Sequence, residues 1–83
     1  KGVGGTERTP TFTVDAGNAA GSVAAGNLKV QFVNTGAANA TVTTALTILE
    51  PGEKVSFEVR DSDTLAAIAY VSTGTILTIT TVA

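Results

Sequence analysis

Hydroxyl groups are the most abundant reactive side chains in this chain, yet the residues that usually activate them are missing. Nucleophilic catalysis needs a Ser, Cys or Thr beside a base, and that base is most often His. The 83 residues include no His and no Cys, which leaves only Lys or a carboxylate for the role. The Ser and Thr residues mostly alternate with apolar ones, and there a hydroxyl is an ordinary solvent-face group of a strand. No catalytic residue is expected, and the chain reads as a non-enzyme.

The remaining constellations are weaker. Asp61-Ser62-Asp63, with Glu58 and Arg60 nearby, could offer oxygens to a hard cation, but Ca²⁺ takes six to eight ligands. Two carboxylates in one loop read as a solvated turn. Without thiolates or imidazoles there is no zinc set, so neither metal nor cofactor is expected. Glu50 and Glu53 flank Pro51-Gly52 and read as solvent charges. A glycosidase pair would need a cleft between its carboxylates, which a thin domain is not expected to supply. Asn39-Ala40-Thr41 fits the N-x-[ST] pattern, which arises by chance in a Thr-rich chain. Gly2-Val3-Gly4-Gly5 is no phosphate loop, because no strand precedes it and no Lys-Ser/Thr follows. Tyr70 and the three Phe residues are too spread for a base-stacking platform and read as core or interface.

Charge narrows the partners. Charged residues make up 14% of the chain and the net charge is −2. The basic residues Lys1, Arg8, Lys29, Lys54 and Arg60 are scattered, whereas nucleic-acid sites need a clustered positive stripe. No apolar run approaches the roughly 18–20 residues that span a bilayer, and no signal peptide is visible. Nucleic acid, membrane and small-molecule substrate are therefore not expected partners. A domain of this size buries only about 60–65% of its unfolded surface. Its core is thin, and oligomerisation or docking is the staple left when disulfides and metals are excluded.

These residues must be positioned by strands. Residues 1–10 (KGVGGTERTP) lack any apolar period and read as a flexible N-terminal arm; residues 11–83 read as one β-sandwich domain. Residues 11–14 alternate, and 15–18 supply turn chemistry. Residues 21–26 suggest a weak edge strand. In 27–34 (NLKVQFVN), Leu28, Val30 and Phe32 share one face and Lys29 and Gln31 the other. Asn34-Thr35-Gly36 reads as a tight turn. Residues 39–44 resume, and 46–49 continue after a bend near Ala45. Residues 50–53 (EPGE) fit a type II turn, with Pro at the second position and Gly at the third. Residues 54–60 (KVSFEVR) turn Val55, Phe57 and Val59 inward. Residues 65–71 fit a strand better than a short helix capped by Asp63, and 75–82 (TILTITTV) form the last strand. The fold class expected is all-β: a small antiparallel sandwich or jelly roll of six to eight short strands. Its core is expected to hold Leu28, Val30, Phe32, Val42, Val55, Phe57, Val59 and Ile79.

Several runs, Val30-Gln31-Phe32-Val33-Asn34-Thr35-Gly36, Ala40-Thr41-Val42, Leu49-Glu50-Pro51-Gly52-Glu53-Lys54-Val55-Ser56-Phe57, Leu65-Ala66-Ala67-Ile68-Ala69-Tyr70 and Gly74-Thr75-Ile76-Leu77-Thr78-Ile79-Thr80, resemble small β domains of tailed-bacteriophage virion proteins. The resemblance implies a structural virion protein, a capsid decoration (cement) or tail-associated component. Its partners would be other copies of itself and a major capsid or tail protein. Subunits of extracellular filaments look similar, and a carbohydrate-binding module is a third reading. The last strand carries apolar residues on both faces, which asks for cover on both sides. The expected assembly interface is accordingly Lys1, Gly2, Val3, Gly4, Gly5 and Thr6 of the arm, with Ile76 and Leu77.

Overall fold

The computed structural model describes residues 9–60 and 63–83. Among them run β1 (Thr11–Ala16), β2 (Gly21–Val23), β3 (Lys29–Asn34), β4 (Ala40–Val42), β5 (Thr47–Leu49), β6 (Lys54–Glu58), β7 (Ile68–Tyr70) and β8 (Ile76–Val82). A single 3₁₀ turn at Thr43–Ala45 joins β4 to β5. The fold is all-β and antiparallel, as the alternation of β-branched residues with polar ones requires.

Four strands make one sheet in the order β1-β8-β3-β6. The ladders β2-β7 and β4-β5 lie on its inner side and are joined by one bridge, with Thr41 N–H donating to Val71 O (3.0 Å) and Val71 N–H to Thr41 O (2.7 Å). The two ladders are held to each other by that bridge and by Ala69 N–H, which donates to the Thr44 hydroxyl at 2.8 Å. Within residues 65–71, Leu65 bridges Asn27, Ile68–Tyr70 is β7 and Val71 bridges Thr41, so the helical alternative falls.

The core sits between the layers. The sheet contributes Val30, Phe32, Leu77 and Ile79, all nearly or fully buried. The facing ladders contribute Ala40, Val42, Leu49, Ile68 and Tyr70. Phe32 is the hub: its ring meets Phe57 edge-on at 6.2 Å and Tyr70 at 5.5 Å. Such pairs add about 0.5–1.5 kcal/mol each beyond area burial. Of the expected core, Val30, Phe32, Val42 and Ile79 are buried, while Val55 and Phe57 are half-buried against it. Leu28 and Val59 are half-buried outside that cluster, because each sits just past the paired end of its strand.

Two chain reversals frame the sheet. Asn34 ends β3 and is fully buried. Its Nδ2 donates to Ala38 O (2.7 Å) and Leu49 O (2.8 Å). Its Oδ1 accepts from Gly36 N–H (3.1 Å) and the Thr75 hydroxyl (2.8 Å). One side chain thus ties β3, β5 and the start of β8, so the residue expected merely to open a turn is a polar core residue with its capacity filled. The 50–53 turn is as expected: Gly52 has φ +87° and Glu53 N–H reaches Glu50 O at 2.9 Å. Glu53 is more than a solvent charge there, since its carboxylate accepts Glu50 N–H at 2.8 Å.

Candidate assembly surface

Register assigns every side chain of the sheet to a face, because directly opposed residues point the same way. Phe12 opposes Thr80, Val14 opposes Thr78 and Ala16 opposes Ile76. Thr80 opposes Gln31 and Thr78 opposes Val33, which in turn oppose Ser56 and Lys54. These residues form the outer face. Leu77, Ile79, Val30, Phe32, Val55 and Phe57 form the inner one.

Strand β1 is inverted relative to its neighbours. In β3, β6 and β8 most of the larger apolar residues turn inward, with Val33 and Ile76 among the outward exceptions. In β1 they turn outward: Phe12 is 69% exposed and Val14 68%. Thr11, Thr13 and Asp15 take the inner positions. The cause is at the end of the strand. Asp15 accepts a hydrogen bond from the Tyr70 hydroxyl and another from Asn18 Nδ2 (3.1 Å). The next residues are fixed too: Gly17 N–H donates to Ser72 O (3.1 Å) and Thr75 O (3.0 Å), and Asn18 N–H to Ser72 Oγ (3.0 Å). A one-residue slip would turn Phe12 and Val14 to the inner side, but it would take Asp15 off Tyr70. Burial, and then the Asp15 carboxylate, push the Tyr70 phenol up to about 12, so Tyr70 acts here as a proton donor.

Strand β1 is also a free edge. Among the described residues no strand lies on its far side, so one row of its backbone N–H and C=O groups is open to pairing. It carries no Lys and no internal Pro, and its six pairs with β8 run without a bulge. Of the devices that usually protect an edge, it keeps one inward-pointing charge, Asp15. The opposite edge, β6, presents Lys54 and Glu58 on the outer face.

Two further surface features lie elsewhere. A cleft of about 250 Å³ between the 3₁₀ turn and the approach to β7 is lined by Thr44, Ala45, Phe57, Leu65, Ala66, Ala67 and Ile68. A second, of about 270 Å³, lies under β1, where Thr13, Val23, Asn27, Tyr70, Ile79 and Thr81 meet. Neither lining includes a carboxylate, a Lys or an Arg. Leu46, after the 3₁₀ turn, is 89% exposed and left-handed, with φ +52°.

The residues expected at an interface divide. Ile76 stands on the outer face beside Ala16 and is 37% exposed. Leu77 is fully buried in the chain's own core, so it has no surface left for a neighbour; alternation on β8 sends it inward. Lys1, Gly2, Val3, Gly4, Gly5 and Thr6 lie outside the described residues, as do Asp61 and Ser62. Phe12 and Val14 did not stand out in the sequence as surface residues, since alternation alone does not say which face is inward. Comparison with protein-family models, curated proteins and solved structures finds no match to this chain.

Proposed function

We propose that this chain is a structural subunit that works by assembling with other protein chains, as a capsid decoration or tail-associated component of a virion. The observation that carries assembly is the inverted strand β1, which leaves Phe12 and Val14 exposed on an unpaired edge. Exposed apolar side chains beside unpaired backbone groups favour a protein partner. The virion setting rests on the resemblance of segments between Val30 and Thr80 to phage virion domains. Partners on this reading are further copies and a capsid or tail protein.

An extracellular filament subunit is the second reading, and one feature favours it. The order β1-β8-β3-β6 alternates in direction throughout, so β6 of one copy could continue antiparallel into β1 of the next. A carbohydrate-binding module has less support. Sugar binders present exposed aromatics, and Phe12 stands alone while Phe32 and Tyr70 are buried.

The test is sedimentation of the chain across a concentration series, with negative-stain imaging of the assemblies. Closed oligomers that bind capsids or tails support the virion reading, and long fibres support the filament. A chain that stays monomeric and binds neither capsids nor tails overturns both. Removing residues 1–9 in parallel, with circular dichroism as the fold control, tests whether the arm contributes: the truncated chain is expected to assemble more weakly.

A further inference from the structure

The outward turn of β1 restricts how a second copy can meet it. We propose that two copies pair their β1 edges antiparallel about a two-fold axis through Thr13, joining their four-stranded sheets into one of eight. The proposal rests on the assembly reading and specifies its first contact.

Side-chain parity limits the choices. A two-fold axis perpendicular to the sheet keeps outer faces on one side, so opposed residues must both be even-numbered or both odd-numbered. The axis must therefore pass through a residue and not between two. Centred on Thr13, it sets Phe12 against Val14 of the second copy, twice. The four apolar side chains then lie together on the outer face. The only charge in β1, Asp15, opposes Thr11, so the two carboxylates are kept apart. An axis through Val14 would set Asp15 against Thr13 and Phe12 against Ala16, splitting the aromatic from the valine. One through Phe12 would run Val14 against Pro10, which has no N–H to give. Thr13 is the centre that pairs all five residues from Thr11 to Asp15 and moves Pro10 out to the last pair, against Ala16.

Pairing with β6 of another copy is the competing arrangement. It would lay Phe12 and Val14 beside a strand whose outer positions are Lys54, Ser56 and Glu58. Two β1 edges match each other better than either matches that charged row. A single strand pair is smaller than the roughly 800 Å² per partner of a standard interface. A weak, reversible dimer is therefore expected, to be reinforced by further contacts in a larger assembly.

The chain has no cysteine, which makes a single introduced thiol an unambiguous reporter. At the axis, Thr13→Cys would face its own copy across about 4.5–5.5 Å between Cα atoms, within disulfide range. Thr11→Cys would face its copy across roughly 14 Å, from a four-residue offset along the strands, and could not close. The experiment oxidises each variant and measures sedimentation of the unmodified chain from about 10 μM to about 1 mM. Expected are a covalent dimer from Thr13→Cys, none above background from Thr11→Cys, and concentration-dependent dimerisation of the parent. Val14→Lys should weaken that dimerisation at least tenfold, while Ser56→Lys on β6 leaves it unchanged. Circular dichroism checks that each variant folds. Oligomers that form without the Thr13→Cys cross-link, or that Ser56→Lys disrupts as strongly as Val14→Lys, overturn this pairing and leave the assembly reading standing. A parent chain that is monomeric at every concentration overturns the pairing and self-assembly together.

Discussion

Strands β1 and β3 both flank β8, both run six residues, and both pair with it antiparallel through six consecutive residues. Each carries one phenylalanine on an alternating pattern. Phe32 of β3 is fully buried and Phe12 of β1 is 69% exposed. The two strands differ in phase and not in periodicity. On β3 the apolar phase agrees with the inner face, and on β1 a polar contact at the strand's end overrides it. The lesson is that amphipathic alternation supplies two equivalent registers, and tertiary hydrogen bonds at a strand's end can fix one of them.

The largest way to test that contrast is on β3. Phe32→Ala should cost about 3–5 kcal/mol, enough to unfold much of a small domain's population. Denaturant titration would read it as a collapse of the midpoint. A mild effect would mean that the ring is not the hub its contacts with Phe57 and Tyr70 describe.

Next in size is the reversal beyond β3. A Cβ at Gly36 would overlap the Thr75 hydroxyl and the Ile76 backbone nitrogen. The backbone cannot yield as a flexible side chain would, so Gly36→Ala should destabilise by about 1–3 kcal/mol. Gly52→Ala meets no neighbour within 4 Å and strains only its positive φ, at about 1 kcal/mol. Equal melting temperatures for the two variants would argue against the close packing around Asn34.

Tyr70→Phe probes the lock on β1 and should cost about 1–2 kcal/mol at neutral pH. Its pH dependence is the sharper readout. The phenol sits at about 12 in the folded chain, against about 10 when unfolded. The contribution is full below pH 10 and is lost progressively as pH rises from 10 towards 12, because the unfolded chain releases its proton first. Tyr70 is the only tyrosine, so tyrosinate absorbance follows it directly. Ionisation near pH 10 in the folded protein would mean that neither burial nor Asp15 holds the phenol protonated.

The smallest effect on stability belongs to β1. Phe12→Thr should leave folding stability within about 0.5 kcal/mol of the parent, while association weakens. A loss as large as that of Phe32→Ala would place Phe12 in the core and invert the comparison.

Much of this fold is legible from residue order. The runs that became β3 and β6 alternate over enough positions to set their period, and the Pro51-Gly52 pair marks its turn by backbone chemistry alone. The second layer is less legible. Ala40, Leu49, Ile68 and Tyr70 lie on three-residue strands, too short for alternation to name an inner face. Asn34 reads as turn chemistry because Asn serves turns and buried networks equally well. The phase of β1 is decided by a contact between Asp15 and Tyr70, 55 positions apart, and no local pattern carries that information.

The pairing of the first strand with the last has a mechanical consequence. Thr11 lies opposite Thr81, so the start of β1 and the end of β8 leave the sheet side by side at one end. Tension applied through these two points would peel the ladder open one pair at a time, as a zipper yields, starting from Thr11 and Thr81. Load entering instead through a strand laid along the free side of β1 would pull along the strand axis. It would then strain the hydrogen bonds of that ladder together, which resists far higher force. The same six residues are therefore a weak seam when pulled from the chain ends and a strong one when loaded along their edge.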